Sequence, residues 1–299
     1  MKTGVIGLGA MGAGMAKNFL DAGILQAVWN RTRSRADQFG RENNVNVAET
    51  PADLASGCEL IITCVSRDED VLQVIRQLAP GIRPGSIVVD TSTVSADTAR
   101  VSAEILENRQ AYFLDGPVSG GIEGARNGTL AMMAGGDSAI LDRIRDSLAA
   151  ITSKVVHVGP TGSGQACKAV NQLMCAGIHQ GVTEALSFGE AMGLDMEKVI
   201  DVISRGAAGN WFLDHRGKSM LEDRYEPGFR VALHDKDLRI CRNMAKNLTD
   251  RSLPILEMTL IHYERLMQQG YGDEDVSALY RIKKGLFTDA VGQQGKTEP

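Results

Sequence analysis

Three groups of residues in this chain have types and spacings that could do chemistry. The first, Gly7-Leu8-Gly9-Ala10-Met11-Gly12, stands directly after the apolar stretch Thr3-Gly4-Val5-Ile6. In such a turn the first glycine permits a tight strand-to-helix reversal and the second lets backbone approach a pyrophosphate. The third lets helix pack closely on strand, so that phosphate rests at a helix N-terminus. Eighteen residues past Gly12 the chain reads Asn30-Arg31-Thr32. A carboxylate there would hydrogen-bond the ribose 2′-hydroxyl of NAD and repel a 2′-phosphate. Asn30 instead is neutral, Arg31 can pair with phosphate through charge-assisted hydrogen bonds, and Thr32 adds a hydroxyl donor. The expected cofactor is therefore NADP, with NAD admissible. A solvated helix start is the alternative for Arg31, and the simpler reading of Arg33 and Arg35.

The second group is Asp115-Gly116-Pro117-Val118-Ser119-Gly120-Gly121-Ile122-Glu123-Gly124-Ala125. Consecutive N–H groups around Ser119, Gly120 and Gly121, with the Ser119 hydroxyl, can form a nest for a substrate carboxylate without a cationic side chain. For a bare loop of this kind, a tight turn serving only the fold is the commoner explanation. The third group is Lys168 and Asn171 in Gly162-Ser163-Gly164-Gln165-Ala166-Cys167-Lys168-Ala169-Val170-Asn171-Gln172. A lysine partly desolvated near a helix N-terminus, with small or uncharged neighbours, is expected to have its pKa pushed toward neutrality, where it can give and take a proton. Asn171, three residues on and on the same helical face, could hold substrate or lysine in place. A solvated surface role is the default for any helical lysine, and only the surrounding pattern reverses that.

These residues need elements to carry them. Met11 to Ala22 repeats apolar residues at helical spacing and ends at Gly23, before a second strand at Ala27-Val28-Trp29. Further strands are expected at Leu60–Cys64, Ser86–Asp90, Ala111–Leu114, Leu130–Ala134 and Lys154–Val158, with a helix from Asp137 to Ala150. Short apolar runs alternating with helical segments are the pattern of an α/β Rossmann domain with a doubly wound parallel sheet. From Gly164 to about Gly193 the chain has no proline and keeps helical spacing, which makes one helix of roughly 45 Å. That helix is expected to leave the nucleotide domain and become the spine of an all-α C-terminal domain, with later helices near Met196–Ser204, Leu233–Lys246 and Leu253–Gln269. The expected division is 1–162 for NADP binding, 163–292 for substrate and oligomerisation, and 293–299 as a polar tail, with the cleft between domains as the site. Gly177, Gly181 and Gly189 within the long helix suggest close approach by another helix, one from a second subunit included.

Composition narrows the classes. The chain has 299 residues, 43% of them hydrophobic, and a net charge of −5, which disfavours nucleic acid and anionic membrane surfaces as partners. No apolar run approaches the roughly 20 residues of a membrane span, and the chain opens into a strand without a charged leader, so a cytoplasmic location is expected. The five cysteines, Cys58, Cys64, Cys167, Cys175 and Cys241, form no CxxC pair, and the five histidines have no metal-ligand spacing, so no metal is expected.

Taken together, the glycine-rich fingerprint, the Asp115 to Ala125 loop, the Gly-x-Gly-x-x-x-Lys-x-x-Asn element at Gly162 to Asn171 and Lys236-Asp237-Leu238 resemble the β-hydroxyacid dehydrogenase family. The resemblance spans nearly the whole chain. It implies that Lys168 is the catalytic acid/base, that Ser119, Gly120 and Gly121 bind a substrate carboxylate, that Asn171 orients substrate and that Lys236 lies near cofactor or substrate. The cofactor set it completes is Gly7, Gly9, Ala10, Met11, Gly12, Asn30, Arg31, Thr32, Cys64, Val65, Ser66, Thr93 and Lys236. The implied activity is hydride transfer between NADP and a small hydroxy acid or its semialdehyde, of 3-hydroxyisobutyrate or tartronate type, in a homodimer or homotetramer. Two departures stand out. Cys64-Val65-Ser66 lacks the proline many relatives carry, and Gln172 replaces a second asparagine. Trp211 and Phe212 either shape a pocket or fill the helical core. The rival readings are an imine reductase and an NADP-binding sensor without turnover.

Overall fold

The computed structural model describes the backbone of residues 1–291 and the side chains of residues 1–287; the polar tail expected at 293–299 lies outside the described residues. By internal contacts the chain divides into two units, Met1–Lys168 and a second that begins at Ala169.

The first unit runs β1 (Thr3–Ile6), α1 (Gly12–Asp21), β2 (Leu25–Trp29), α2 (Arg33–Asn43), β3 (Asn46–Val47), α3 (Pro51–Gly57), β4 (Leu60–Thr63), α4 (Asp68–Leu78), β5 (Ile87–Asp90), α5 (Ala96–Glu107), β6 (Tyr112–Asp115), β7 (Val118–Ser119), α6 (Gly121–Asn127), β8 (Leu130–Gly135), α7 (Ser138–Leu148) and β9 (Thr152–Gly159). Strand order is β3-β2-β1-β4-β5-β6-β8-β7, with β9 on β8. β1, β4 and β5 are buried along their whole length. Side chains alternate between faces, so Val5, Leu60 and Ile62 join one core with Phe19 and Val28, while Ile6 and Ile61 join another with Leu54, Val74 and Ile75. Parallel pairing links β1 to both β2 and β4. The chain thus winds outward in both directions from β1, and the turns that follow β1 and β4 flank the switch point, where such sheets bind ligands.

The parallel pattern breaks at one edge. β8 is antiparallel to β6, through Asp115 opposite Gly135, and to β7. Only the seven-residue α6 and a few loop residues separate β7 from β8, too little chain for a parallel crossover.

The second unit is helical. α8 (Ser163–Ala191) begins in the first unit and continues into the second, followed by α9 (Met196–Ser204), α10 (Trp211–Leu221), α11 (Val231–Lys246), α12 (Pro254–Gln268), a short 3₁₀ turn (Val276–Ala278) and α13 (Leu279–Val291). Leu186, Ile200, Phe212, Leu238, Leu260, Tyr263 and Tyr280 make its core. α10 and α13 carry no expectation from sequence. α10 hides because Trp211 and His215 are exposed on a helix whose buried residues are only Phe212, Leu213, Gly217 and Met220. Of Gly177, Gly181 and Gly189 in α8, only Gly189 is pressed by a side chain, since a Cβ there would lie 2.9 Å from the sulfur of Met196; at Gly181 it would meet nothing.

Candidate active site

The turn after β1 has the shape its glycines imply. Gly7 has φ +98°, and a Cβ there would lie 2.2 Å from the carbonyl of Cys64. At Gly12 a Cβ would lie 1.8 Å from the carbonyl of Gly7, so neither position admits a side chain. Gly9 differs, because a Cβ there would meet nothing. Its open side faces a groove also lined by Gly7, Asn30, Arg31, Thr32, Arg35, Cys64, Val65 and Ser66. A close contact surface at Gly9 beside the amides of the first turn of α1 fits a dinucleotide pyrophosphate. Ala10, Met11 and Gly12 stand at that helix start and Thr93 after β5, outside the groove lining itself.

Side chains hold this edge together. Asn30 Oδ1 accepts from the Leu8 amide at 2.9 Å, which ties the end of β2 to the glycine turn. Arg31 Nη1 meets Asp70 Oδ1 of α4 at 2.5 Å. At the ends of β4 and β5, Asp90 Oδ1 accepts from the hydroxyls of Thr63 (2.6 Å) and Ser92 (2.7 Å), and Ser92 Oγ accepts from the Val65 amide at 2.9 Å. The loop that lacks a proline is thereby restrained through Ser92. Burial pushes the Asp90 carboxyl up to about 6, with partial relief from the Thr63 and Ser92 hydroxyls, and Oδ2 has no hydrogen-bond partner among the described residues. Burial likewise raises the Cys64 thiol to about 11, which makes it inert at neutral pH.

The start of α8 is built from distant pieces of the same unit. Asp115, at the end of β6 and the head of the Ser119–Gly121 loop, accepts from the amides of Gly162 (2.8 Å) and Gln165 (2.9 Å). A carboxylate at a helix N-terminus is favourable, but burial raises the pKa of Asp115 and these amides offset that only in part. Gly164 packs against it so tightly that a Cβ would lie 2.6 Å from the Asp115 carbonyl. Gln165 grips the segment around Thr93: its Oε1 accepts from Val94 N at 3.1 Å and its Nε2 donates to Ser92 O at 2.9 Å. Lys168 follows on the same helical face and is only 7% exposed. Gly120 and Gly121 both have positive φ, +128° and +60°. Ser119, half-buried, pairs with Ala131 of β8. Behind this loop Asn18 of α1 donates to the Ala125 carbonyl at 2.8 Å, and Gly14 lets the two helices touch, since a Cβ there would lie 2.9 Å from that carbonyl.

In the second unit Asn171 Nδ2 donates to Gln172 Oε1 (2.8 Å), Gln172 Nε2 donates to Asp237 Oδ2 (2.6 Å), and Lys236 Nζ pairs with Asp237 Oδ1 (2.8 Å). Beneath them His234 spans Gln172 O and Tyr263 Oη. His179, packed on Phe212 with ring centroids 4.3 Å apart, is buried and held well below its ordinary pKa. Phe212 is therefore core. Trp211 is 56% exposed and stacks on His215.

Two family models match the chain. The NAD binding domain of 6-phosphogluconate dehydrogenase matches residues 2–159, and the NAD-binding domain of NADP-dependent 3-hydroxyisobutyrate dehydrogenase matches residues 162–283. The chain belongs to the β-hydroxyacid dehydrogenase family. An uncharacterized oxidoreductase of Shewanella frigidimarina is 38% identical over 95% of this chain and 98% of its own. An NAD-dependent L-serine dehydrogenase of Pseudomonas aeruginosa is 32% identical over 96% of this chain and 98% of its own. A solved 3-hydroxyisobutyrate dehydrogenase of Mycobacterium tuberculosis with L-serine is 29% identical, covers 94% of this chain and 99% of its own, and has a TM-score of 0.84.

This β-hydroxyacid dehydrogenase is an NAD(P)-dependent oxidoreductase. Among the described residues no helix is long and apolar enough to cross a membrane, and no group of three His, Cys, Asp or Glu could hold a metal. Sequence reasoning passed over Gly14, Asp70, Asp90, Asp115 as a carboxylate, and Gln165. The spacing of Gly14 two residues past Gly12 was a usable signal; for the others the partner lies in a distant segment and leaves no local pattern.

Proposed function

We propose that this dehydrogenase prefers NADP and interconverts a small hydroxy acid and its semialdehyde, of 3-hydroxyisobutyrate or tartronate type, with Lys168 as general acid/base. The observation that carries the reading is a buried lysine in the second turn of α8, where Asp115 and Gln165 tie the helix start to the Ser119–Gly121 loop and to the Thr93 segment. In this reading the amides of Gly120 and Gly121 and the Ser119 hydroxyl receive the substrate carboxylate, which orients the reacting carbon. Lys168 Nζ gives its proton to the carbonyl oxygen in reduction and takes it back in oxidation. Asn171, one turn further along α8, orients substrate, and Lys236 attends cofactor or substrate. The bound nicotinamide supplies the redox step. Gly7, Gly9, Ala10, Met11, Gly12, Asn30, Thr32, Cys64, Val65, Ser66 and Thr93 hold the dinucleotide, and Arg31 pairs with the 2′-phosphate.

The name of the Pseudomonas relative brings L-serine, itself a β-hydroxy acid, into the substrate class. The test is nicotinamide absorbance with NADP(H) and NAD(H) against 3-hydroxyisobutyrate, L-serine, tartronate semialdehyde, succinic semialdehyde, glyoxylate and a cyclic imine, for the native enzyme and Lys168→Ala. Turnover of an acid substrate that falls about 10²-fold or more in the variant is expected for loss of a general acid/base. Turnover of the imine alone, or an undiminished variant, would refute the reading.

A further inference from the structure

The carboxylate missing from the end of β2 reaches the groove from another element. Asp70 lies in the first turn of α4, which opens with Asp68, Glu69 and Asp70. Asp68 accepts from Ser95 N and Thr98 Oγ1, so it is turned into the fold. Of the three, only Asp70 lines the groove, beside Asn30, Arg31, Thr32 and Arg35. Its side chain is 18% exposed against 71% for Arg31, so the carboxylate sits on the inner side of the pair.

We infer that Asp70 is a specificity-determining residue for the cofactor, one that restrains NADP binding and preserves the use of NAD. The inference rests on the proposal that Arg31 reads the 2′-phosphate. Asp70 Oδ1 occupies Arg31 Nη1 at 2.5 Å. A 2′-phosphate approaching the guanidinium must take its other N–H groups, next to a like charge, or displace the carboxylate. A 2′-hydroxyl meets the opposite situation, because an ionised carboxylate accepts its hydrogen bond, the role an acidic residue at the end of β2 fills in NAD-binding sheets. Arg31 and Asp70 therefore oppose each other at the ribose, and the balance between the two dinucleotides depends on both.

The experiment is calorimetric titration of adenosine 2′,5′-bisphosphate and adenosine 5′-monophosphate into the native enzyme, Asp70→Asn and Arg31→Ala. These probes differ only by the 2′-phosphate and need no turnover. Asp70→Asn is expected to raise the affinity ratio of bisphosphate to monophosphate about tenfold, the size of a repulsion between neighbouring, partly exposed charges. Arg31→Ala is expected to lower it. A ratio unchanged or reduced in Asp70→Asn, with the expected fall in Arg31→Ala, overturns the role of Asp70 and leaves the Arg31 reading standing. A ratio unchanged in Arg31→Ala removes that reading and the inference together.

Discussion

Replacing Asp90 by asparagine should change how stability depends on pH, in a direction opposite to that of an ordinary carboxylate. Asp90 is fully buried, donors from Thr63 and Ser92 converge on Oδ1, and Oδ2 lacks a partner among the described residues. Desolvation outweighs those hydrogen bonds and moves the carboxyl from 3.8 to about 6. The folded protein then binds a proton more tightly here than the unfolded chain does. This group therefore contributes stability that is fully present below pH 3.8 and is lost as pH rises through 6. A shift of that size corresponds to about 3 kcal/mol in all, of which somewhat under half falls between pH 5 and pH 8. The substituted side chain keeps an acceptor for Thr63 and Ser92 but does not titrate. Urea unfolding of both proteins at pH 5 and pH 8 would isolate the effect, since every other titrating group cancels in the difference. The native enzyme should lose on the order of 1 kcal/mol relative to Asp90→Asn on going from pH 5 to pH 8. A difference that stays constant with pH would refute the desolvation argument.

Two further perturbations test other parts of the structure. Gly9→Ala should melt at the native temperature but lose dinucleotide affinity, whereas Gly12→Ala, with its Cβ 1.8 Å from the Gly7 carbonyl, should lower Tm as well; equal Tm values for the two would contradict the packing described. His179 is buried in its neutral form, so the unfolded chain takes up a proton below about pH 6.5 that the folded state refuses, and stability should fall as pH drops through that value. In urea unfolding at pH 5.5 and 7.5, His179→Leu should lose part of that fall; an identical slope would show that His179 protonates freely in the fold.

The sequence by itself determined the family, the longer strands and the helices with a clear apolar period. Short runs such as Leu60–Thr63 and Ile87–Asp90 are apolar almost throughout because parallel central strands are covered on both faces, and the glycines at 7, 9 and 12 announce their turn through steric needs that lie within a few residues. Met196–Ser204 was legible for the same reason, since helical periodicity is local. Only the tertiary structure decided which polar groups meet. Arg31 finds Asp70 across 39 residues, Asp115 finds Gly162 across 47, and Gln165 finds Ser92 across 73. It also decided that β8 runs antiparallel to β6 and that Phe212 turns inward while Trp211 does not. Hydrophobic periodicity is written into the chain residue by residue, but a charge or amide carries no mark of its partner. Which of them pair is fixed by the loops and helix ends that the folded chain brings side by side.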